Sequence, residues 1–109
     1  KGSIRAATEV LLRLANVKLQ EIEAVYIAGA FGSYIPKASA IRIGLLPPLP
    51  LDIIESVGNA AGMGAKLALL SERERRRAEE IARTVEHVEL GTNPIYANAF
   101  FEAMAFSTA

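Results

Sequence analysis

The chain has 109 residues, 51% of them apolar and 22% charged, and its twelve basic and twelve acidic side chains cancel. That length bounds it to one domain or a piece of one. Zero net charge argues against a nucleic-acid binder driven by bulk electrostatics. The absence of cysteine excludes disulfides and Cys-ligated zinc or iron–sulfur centres within these residues. One histidine and one aspartate leave little material for a metal site or a Ser-His-Asp triad. The longest uncharged stretch, Ala24 to Pro36, carries Gly29, Gly32 and Pro36 and is too short to span a bilayer. No signal-peptide pattern opens the chain, so a cytoplasmic protein with neither membrane nor nucleic-acid partner is expected.

In chain order, Ile4, Ala7, Leu11 and Leu14 repeat at helical spacing and predict an amphipathic helix over roughly residues 3–16. Asn16 suits its end, because Asn tolerates the left-handed conformation. The uncharged run Ala24–Ala28 stops at Gly29 and reads as a strand buried on both faces, as in a parallel or mixed sheet. A helix follows over Pro36–Ile43, with Pro36 fitting its first turn. Leu45-Leu46-Pro47-Pro48-Leu49-Pro50 is a rigid apolar connection, since its three prolines break helix and central strand alike.

Ile53–Val57 is a second short strand ending at Gly58, and Ala60–Leu70 a helix of small residues. Ser71-Glu72-Arg73-Glu74 has the form of a capping box and starts another helix. Its Arg75–Glu79, Arg76–Glu80 and Glu79–Arg83 pairs lie four apart on a solvated face, while Ala78, Ile81, Ala82 and Val85 look inward. Val85–Leu90 alternates as a third strand, closed by Gly91. Asn93-Pro94 caps a last helix that buries Phe100, Phe101 and Met104. This alternation points to an α/β layer fold.

Two segments carry the functional signal. In Val25–Gly32 a strand runs into closely spaced glycines, where bare backbone N–H groups can approach a ligand and φ > 0 is permitted. Val57–Ala65 repeats the plan, with almost no side-chain bulk at Ala60, Ala61, Gly62 and Gly64. Each has a plain alternative: a tight strand–helix turn for the first, close helix–sheet packing for the second, neither binding anything. Sharper motifs fail. Gly58 to Lys66 has the wrong spacing for a Walker A loop, and Leu67 stands where its hydroxyl belongs. Gly29-Ala30-Phe31-Gly32 lacks the middle glycine of a dinucleotide fingerprint. It matches a KH loop in spacing but holds an aromatic residue and no positive charge. His87 reads as an edge or core histidine rather than a catalytic base, Asp52 as a turn cap rather than a magnesium ligand, and Arg73–Arg77 as a solvated face.

Taken together, the two glycine turns resemble the second half of an ATPase of the actin, sugar-kinase and heat-shock-chaperone superfamily. Val25–Gly32 resembles its adenosine turn and Val57–Ala65 its second connecting element. More specifically, Val25–Ile35, Ala40–Pro47, Val57–Ala65 and Asn93–Phe106 are similar to the C-terminal domain of the reductive activators of corrinoid proteins. The resemblance implies an α/β fragment of a ribonuclease-H-like, actin-type ATPase lobe, its sheet covered by helices. Residues 1–109 would be a single C-terminal domain or fragment of a larger iron–sulfur and ATPase protein. That parent would use ATP to drive reduction of cob(II)amide to cob(I)amide on a methyl-transfer partner.

Under this resemblance Gly29, Ala30, Phe31 and Gly32 line the adenosine side of an ATP cleft, and Gly58, Asn59 and Ala60 its opposite edge. No catalytic and no metal-ligating residue is expected here. ATP is then a cofactor of the parent, and the iron–sulfur cluster belongs to the parent outside this chain. Implied partners are the upstream ATPase half, the ferredoxin-like domain and the corrinoid protein, with room for a homodimer. No Asp-Gly phosphate loop occurs in these residues, so this chain alone is expected to be inactive. The alternative function is a non-catalytic interaction or assembly domain that binds no nucleotide.

Overall fold

A computed structural model describes residues 1–106. The elements are α1 (Gly2–Leu14), β1 (Val25–Ala28), α2 (Gly29–Tyr34), α3 (Lys37–Arg42), β2 (Ile54–Gly58), α4 (Ala60–Leu70), α5 (Glu72–Thr84) and α6 (Pro94–Ala103). Single 3-10 turns at Leu19–Glu21 and Leu51–Ile53 lead into the two strands. β1 and β2 form a two-stranded parallel sheet. A parallel pair needs a long crossover, which here consists of α2, α3 and the proline-rich strap.

Local chemistry sets most boundaries. Asn16, at φ 54°, turns the chain after α1. Ser71 accepts a hydrogen bond from the Glu74 N–H and starts α5, although the Glu74 carboxylate turns to Arg73 at 3.0 Å instead of closing the box. Asn93 accepts from the N–H groups of Ile95 and Tyr96 and starts α6, with Pro94 in the first turn.

The buried apolar residues are Ala6, Val10, Ala40, Leu45, Leu49, Ile54 and Ala99. They come from α1, α3, the strap, β2 and α6, so one small core joins the two ends of the chain. α1 packs on α6 through small residues: a Cβ added to Gly2 would sit 3.4 Å from the Ala103 carbonyl oxygen. The Lys1 ammonium donates to the carbonyls of Ala103 and Ala105 at 2.6 and 2.5 Å, a favourable cation at the C-terminal end of α6.

Several expectations are corrected. Val85–Leu90 forms no strand, and His87 lies exposed on an irregular segment. Strand geometry requires a neighbour's backbone groups, and only β1 and β2 pair among the described residues. β1 alternates half-buried and exposed positions instead of being covered on both faces, and Tyr26 is 65% exposed. In α6 the buried residue is Ala99, because small residues make the α1 contact; Phe100, Phe101 and Met104 remain exposed. Neither α4 nor α5 buries any residue, so Ile81 and Val85 do not face inward. Among the described residues the ion pair four apart along α5 is Glu72–Arg76 at 2.7 Å, beside the Arg73–Glu74 contact, and none of the expected pairs forms.

The shape matches this thin coverage. The radius of gyration is 16.0 Å, against about 13 Å for a compact domain of this length. Accessible surface is 8366 Å², where a compact monomer of 11.7 kDa has roughly 5,900 Å².

The Asn93 cap is testable in isolation from the rest. Asn93→Ala should destabilise the first turn of α6 by about 1 kcal/mol. In amide hydrogen exchange this corresponds to roughly fivefold faster exchange at Ile95 and Tyr96. Unchanged rates at both amides would contradict the capping assignment.

Candidate functional site

The parallel register decides what the two glycine turns can do together. Val25 pairs with Ile54, Tyr26 with Glu55, Ile27 with Ser56, and Ala28 with Gly58. Both strands therefore end on the same side of the sheet, and both turns leave from that edge. In open α/β sheets this carboxyl end of parallel strands is where ligands bind. Between Ile27 and Ala28 the register slips by one residue, which inserts Val57 as a bulge just before Gly58. Bulges of this kind re-aim the backbone beside a site.

Gly29 follows β1 and Gly58 is the last residue of β2, with φ of 89° and 65°. A side chain there is strained, since L residues rarely adopt positive φ. A Cβ built on either glycine meets nothing within 4 Å. The space in front of both turns is thus open, and conformation rather than packing selects glycine.

Gly32 is different. It is buried, and a Cβ there would collide with the Ile27 side chain on β1. Glycine lets α2 lie down on the strand that precedes it. The Ser56 hydroxyl on β2 donates to the Gly32 carbonyl at 2.9 Å and ties α2 across to the second strand. One side chain thereby locks the first turn to the strand that carries the second.

Asn59 caps α4: its side-chain oxygen accepts from the Gly62 N–H at 2.9 Å. A Cβ on Gly62 would collide with that same Asn59 amide. Gly62 is therefore required by the cap, not by an approach to the sheet. Gly64 meets nothing within 4 Å, so the close helix–sheet packing expected of α4 does not occur among the described residues.

Of the seven expected site residues, Gly29, Ala30, Phe31 and Gly32 lie at the end of β1, and Gly58, Asn59 and Ala60 at the end of β2. The register brings the two sets side by side. Ala30, Asn59 and Ala60 are exposed, and Phe31 is 68% exposed. The site offers backbone N–H groups, the free amide nitrogen of Asn59 and an aromatic face. It contains no nucleophile and no general base. Among the described residues no group of three His, Cys, Asp or Glu side chains could hold a metal ion. No described helix is long and apolar enough to cross a membrane.

Sequence reading missed Ser56, whose role is tertiary, and it assigned Asn59 to ligand without seeing the cap. For Asn59 the signal was present: Asn precedes a helical run and the N–H that it caps lies three residues on. A concavity of about 650 Å³ lies elsewhere, between α1, the end of α3 and the residues after α6.

Comparison with known proteins extends over the whole chain. Residues 1–109 match the family model described as the C-terminal domain of RACo, the ASKHA domain. A corrinoid activation enzyme of Eubacterium limosum, RamQ, is 38% identical over 100 residues, which are 92% of this chain and 17% of that protein. A Co(II) methylated amine-specific corrinoid protein reductase of Methanosarcina barkeri is 28% identical over 112 residues, 98% of this chain and 20% of that one. Among solved structures, a reductive activator for corrinoid, iron-sulfur protein superposes with a TM-score of 0.84 at 35% identity. That match covers 92% of this chain and 16% of the other. The chain thus spans a fifth or less of the length of these relatives.

Two glycines separate the site's packing from its helix chemistry. Gly32→Ala should destabilise the protein by about 1–3 kcal/mol through the collision with Ile27. Gly64→Ala should stabilise by about 0.5–1 kcal/mol, because the position is open and helical. Denaturant unfolding reads both, and shifts of the same sign would contradict the assignment.

Proposed function

The chain belongs to the family of RACo C-terminal ASKHA domains, and on that premise we propose that it forms one wall of a nucleotide cleft in a longer reductive activator of corrinoid proteins. The observation that carries this reading is the shared edge. Two glycine turns of positive φ stand side by side at the carboxyl end of a parallel strand pair, with open space before them. Gly29, Ala30, Phe31 and Gly32 border the adenosine side of bound ATP. Gly58, Asn59 and Ala60 border the opposite edge, where the N-terminus of α4 favours anionic and polar ligand groups.

The residues present suit that role and no more than that role. Backbone N–H groups orient the ligand, Phe31 offers a face for a heterocycle, and alanine and glycine keep side chains out of its path. Asn59 holds the start of α4 through its oxygen and keeps its amide nitrogen as a donor. In the parent, ATP supplies the free energy for the one-electron reduction of cob(II)amide to cob(I)amide. The electron comes from an iron–sulfur domain outside these residues, which contain no cysteine.

The apolar surface supports a longer parent. Apart from Lys66, α4 carries only apolar and small residues, and helices so apolar are normally buried. Here Met63, Leu67, Leu69 and Leu70 are all exposed, Leu69 by 76%. An upstream half of the same lobe would cover α4 and extend the two-stranded sheet, which is too small to stand alone. The same exposed face sustains the second reading, an interaction domain that binds no nucleotide.

Calorimetric titration of the full-length parent with ATP distinguishes the two. Ala30→Asp places a negative charge on the exposed nucleotide side of the turn without entering the core. Its ATP affinity should fall about tenfold or more. Gly29→Val should weaken binding further through backbone strain, with folding checked by circular dichroism. Wild-type affinity in both well-folded variants would leave the interaction domain as the better account.

A further inference from the structure

A groove of about 650 Å³ is basic on a chain whose net charge is zero. It runs between the start of α1, the end of α3, the proline-rich strap and the residues that follow α6. Lys1, Arg5 and Arg42 line it against a single carboxylate, Glu102. Leu46, Pro48 and Phe106 give it an apolar floor and rim.

The cations are not equivalent. The Lys1 ammonium is committed to two carbonyls and lies 4.8 Å from the centre of the Phe106 ring. Arg5 is not committed. Its Nη1 is out of solvent and has no hydrogen-bond partner among the described residues. Glu9, one turn along α1, is held by Arg13 at 2.5 Å, and Glu102 forms no ion pair with Arg5. A buried guanidinium nitrogen without an acceptor is costly; Nη1 itself is closed to solvent, so an incoming carboxylate meets the rest of the half-buried Arg5 guanidinium from the groove, as a charge-assisted contact. Arg42 stands exposed on the same groove.

The groove's form selects the kind of ligand. Small-molecule sites enclose most of their ligand, whereas this groove has exposed walls at Arg42, Pro48, Glu102 and Phe106. An extended peptide fits such a trough, with carboxylates toward the arginines and apolar side chains on Leu46, Pro48 and Phe106. We propose that this groove docks an acidic, apolar-flanked segment of a partner polypeptide, with Arg5 as its central anchor and Arg42 as a second contact. The site shares no residue with the glycine turns, so docking is independent of nucleotide.

The test uses the full-length protein and a fluorescein-labelled hexapeptide alternating leucine and glutamate, read by fluorescence anisotropy with and without ATP. A counterpart with glutamine in place of glutamate controls for charge. The acidic peptide should bind at least tenfold more tightly than the glutamine peptide, and more weakly as salt rises. Arg5→Gln should remove about tenfold of that affinity and Arg42→Gln less, with ATP affinity unchanged in both. Arg5→Lys keeps the charge but loses the planar fork, and should recover only part of the loss. Equal binding of the two peptides, or full affinity in a folded Arg5→Gln protein, would overturn the proposal. So would binding that appears only with ATP. A failure of the nucleotide reading leaves the peptide-binding outcomes untouched, since they are read without ATP as well as with it.

Discussion

The parallel pairing of β1 with β2 is the constraint on which the rest depends. Two strands that run the same way must end on the same side, so the backbone ladder alone sets Gly29 beside Gly58. The crossover this pairing demands is made of α2, α3 and the strap, and these also supply Ala40, Leu45 and Leu49 to the core. Ile54, fully buried at the start of β2, anchors the second strand in that core. The Ser56 hydrogen bond to Gly32 then holds α2 down on the pair. Position of the site and integrity of the core are thus one problem with one solution.

Much of the remaining surface is unfinished by the standard of a free-standing domain. The accessible area exceeds that of a compact monomer by roughly 2,500 Å². The excess is not spread evenly, since α4 and α5 bury no residue at all. Their chemistry differs. α5 is covered with charged side chains and is at ease in water, as the Glu72–Arg76 pair illustrates. α4 is apolar but for Lys66, and water is a poor solvent for most of its surface. α4 is therefore among the apolar surfaces left in water, together with Leu14, Tyr34, Phe101 and Phe106.

The glycines of the site divide by cause. Gly29 and Gly58 are selected by backbone conformation, Gly32 by the side chain of Ile27, and Gly62 by the amide of Asn59. A string of small residues in the sequence looks uniform, yet each position answers a different demand. Gly64 answers none within the described residues.

What the sequence determined by itself was local. The caps at Asn93 and Ser71, the left-handed turn at Asn16, the breaking effect of Pro47, Pro48 and Pro50, and the two strand–glycine–helix passages all follow from interactions within a few residues. Such interactions travel with the sequence, and so did the family resemblance built on them. The tertiary structure decided whatever needed a distant partner. It denied Val85–Leu90 a neighbouring strand, put Ala99 rather than Phe100 or Phe101 against α1, joined Ser56 to Gly32 across 24 residues, and gathered Arg5 and Arg42 into one groove. A strand, a buried face or a charge cluster is a relation between segments, and its energy depends on which surface arrives opposite.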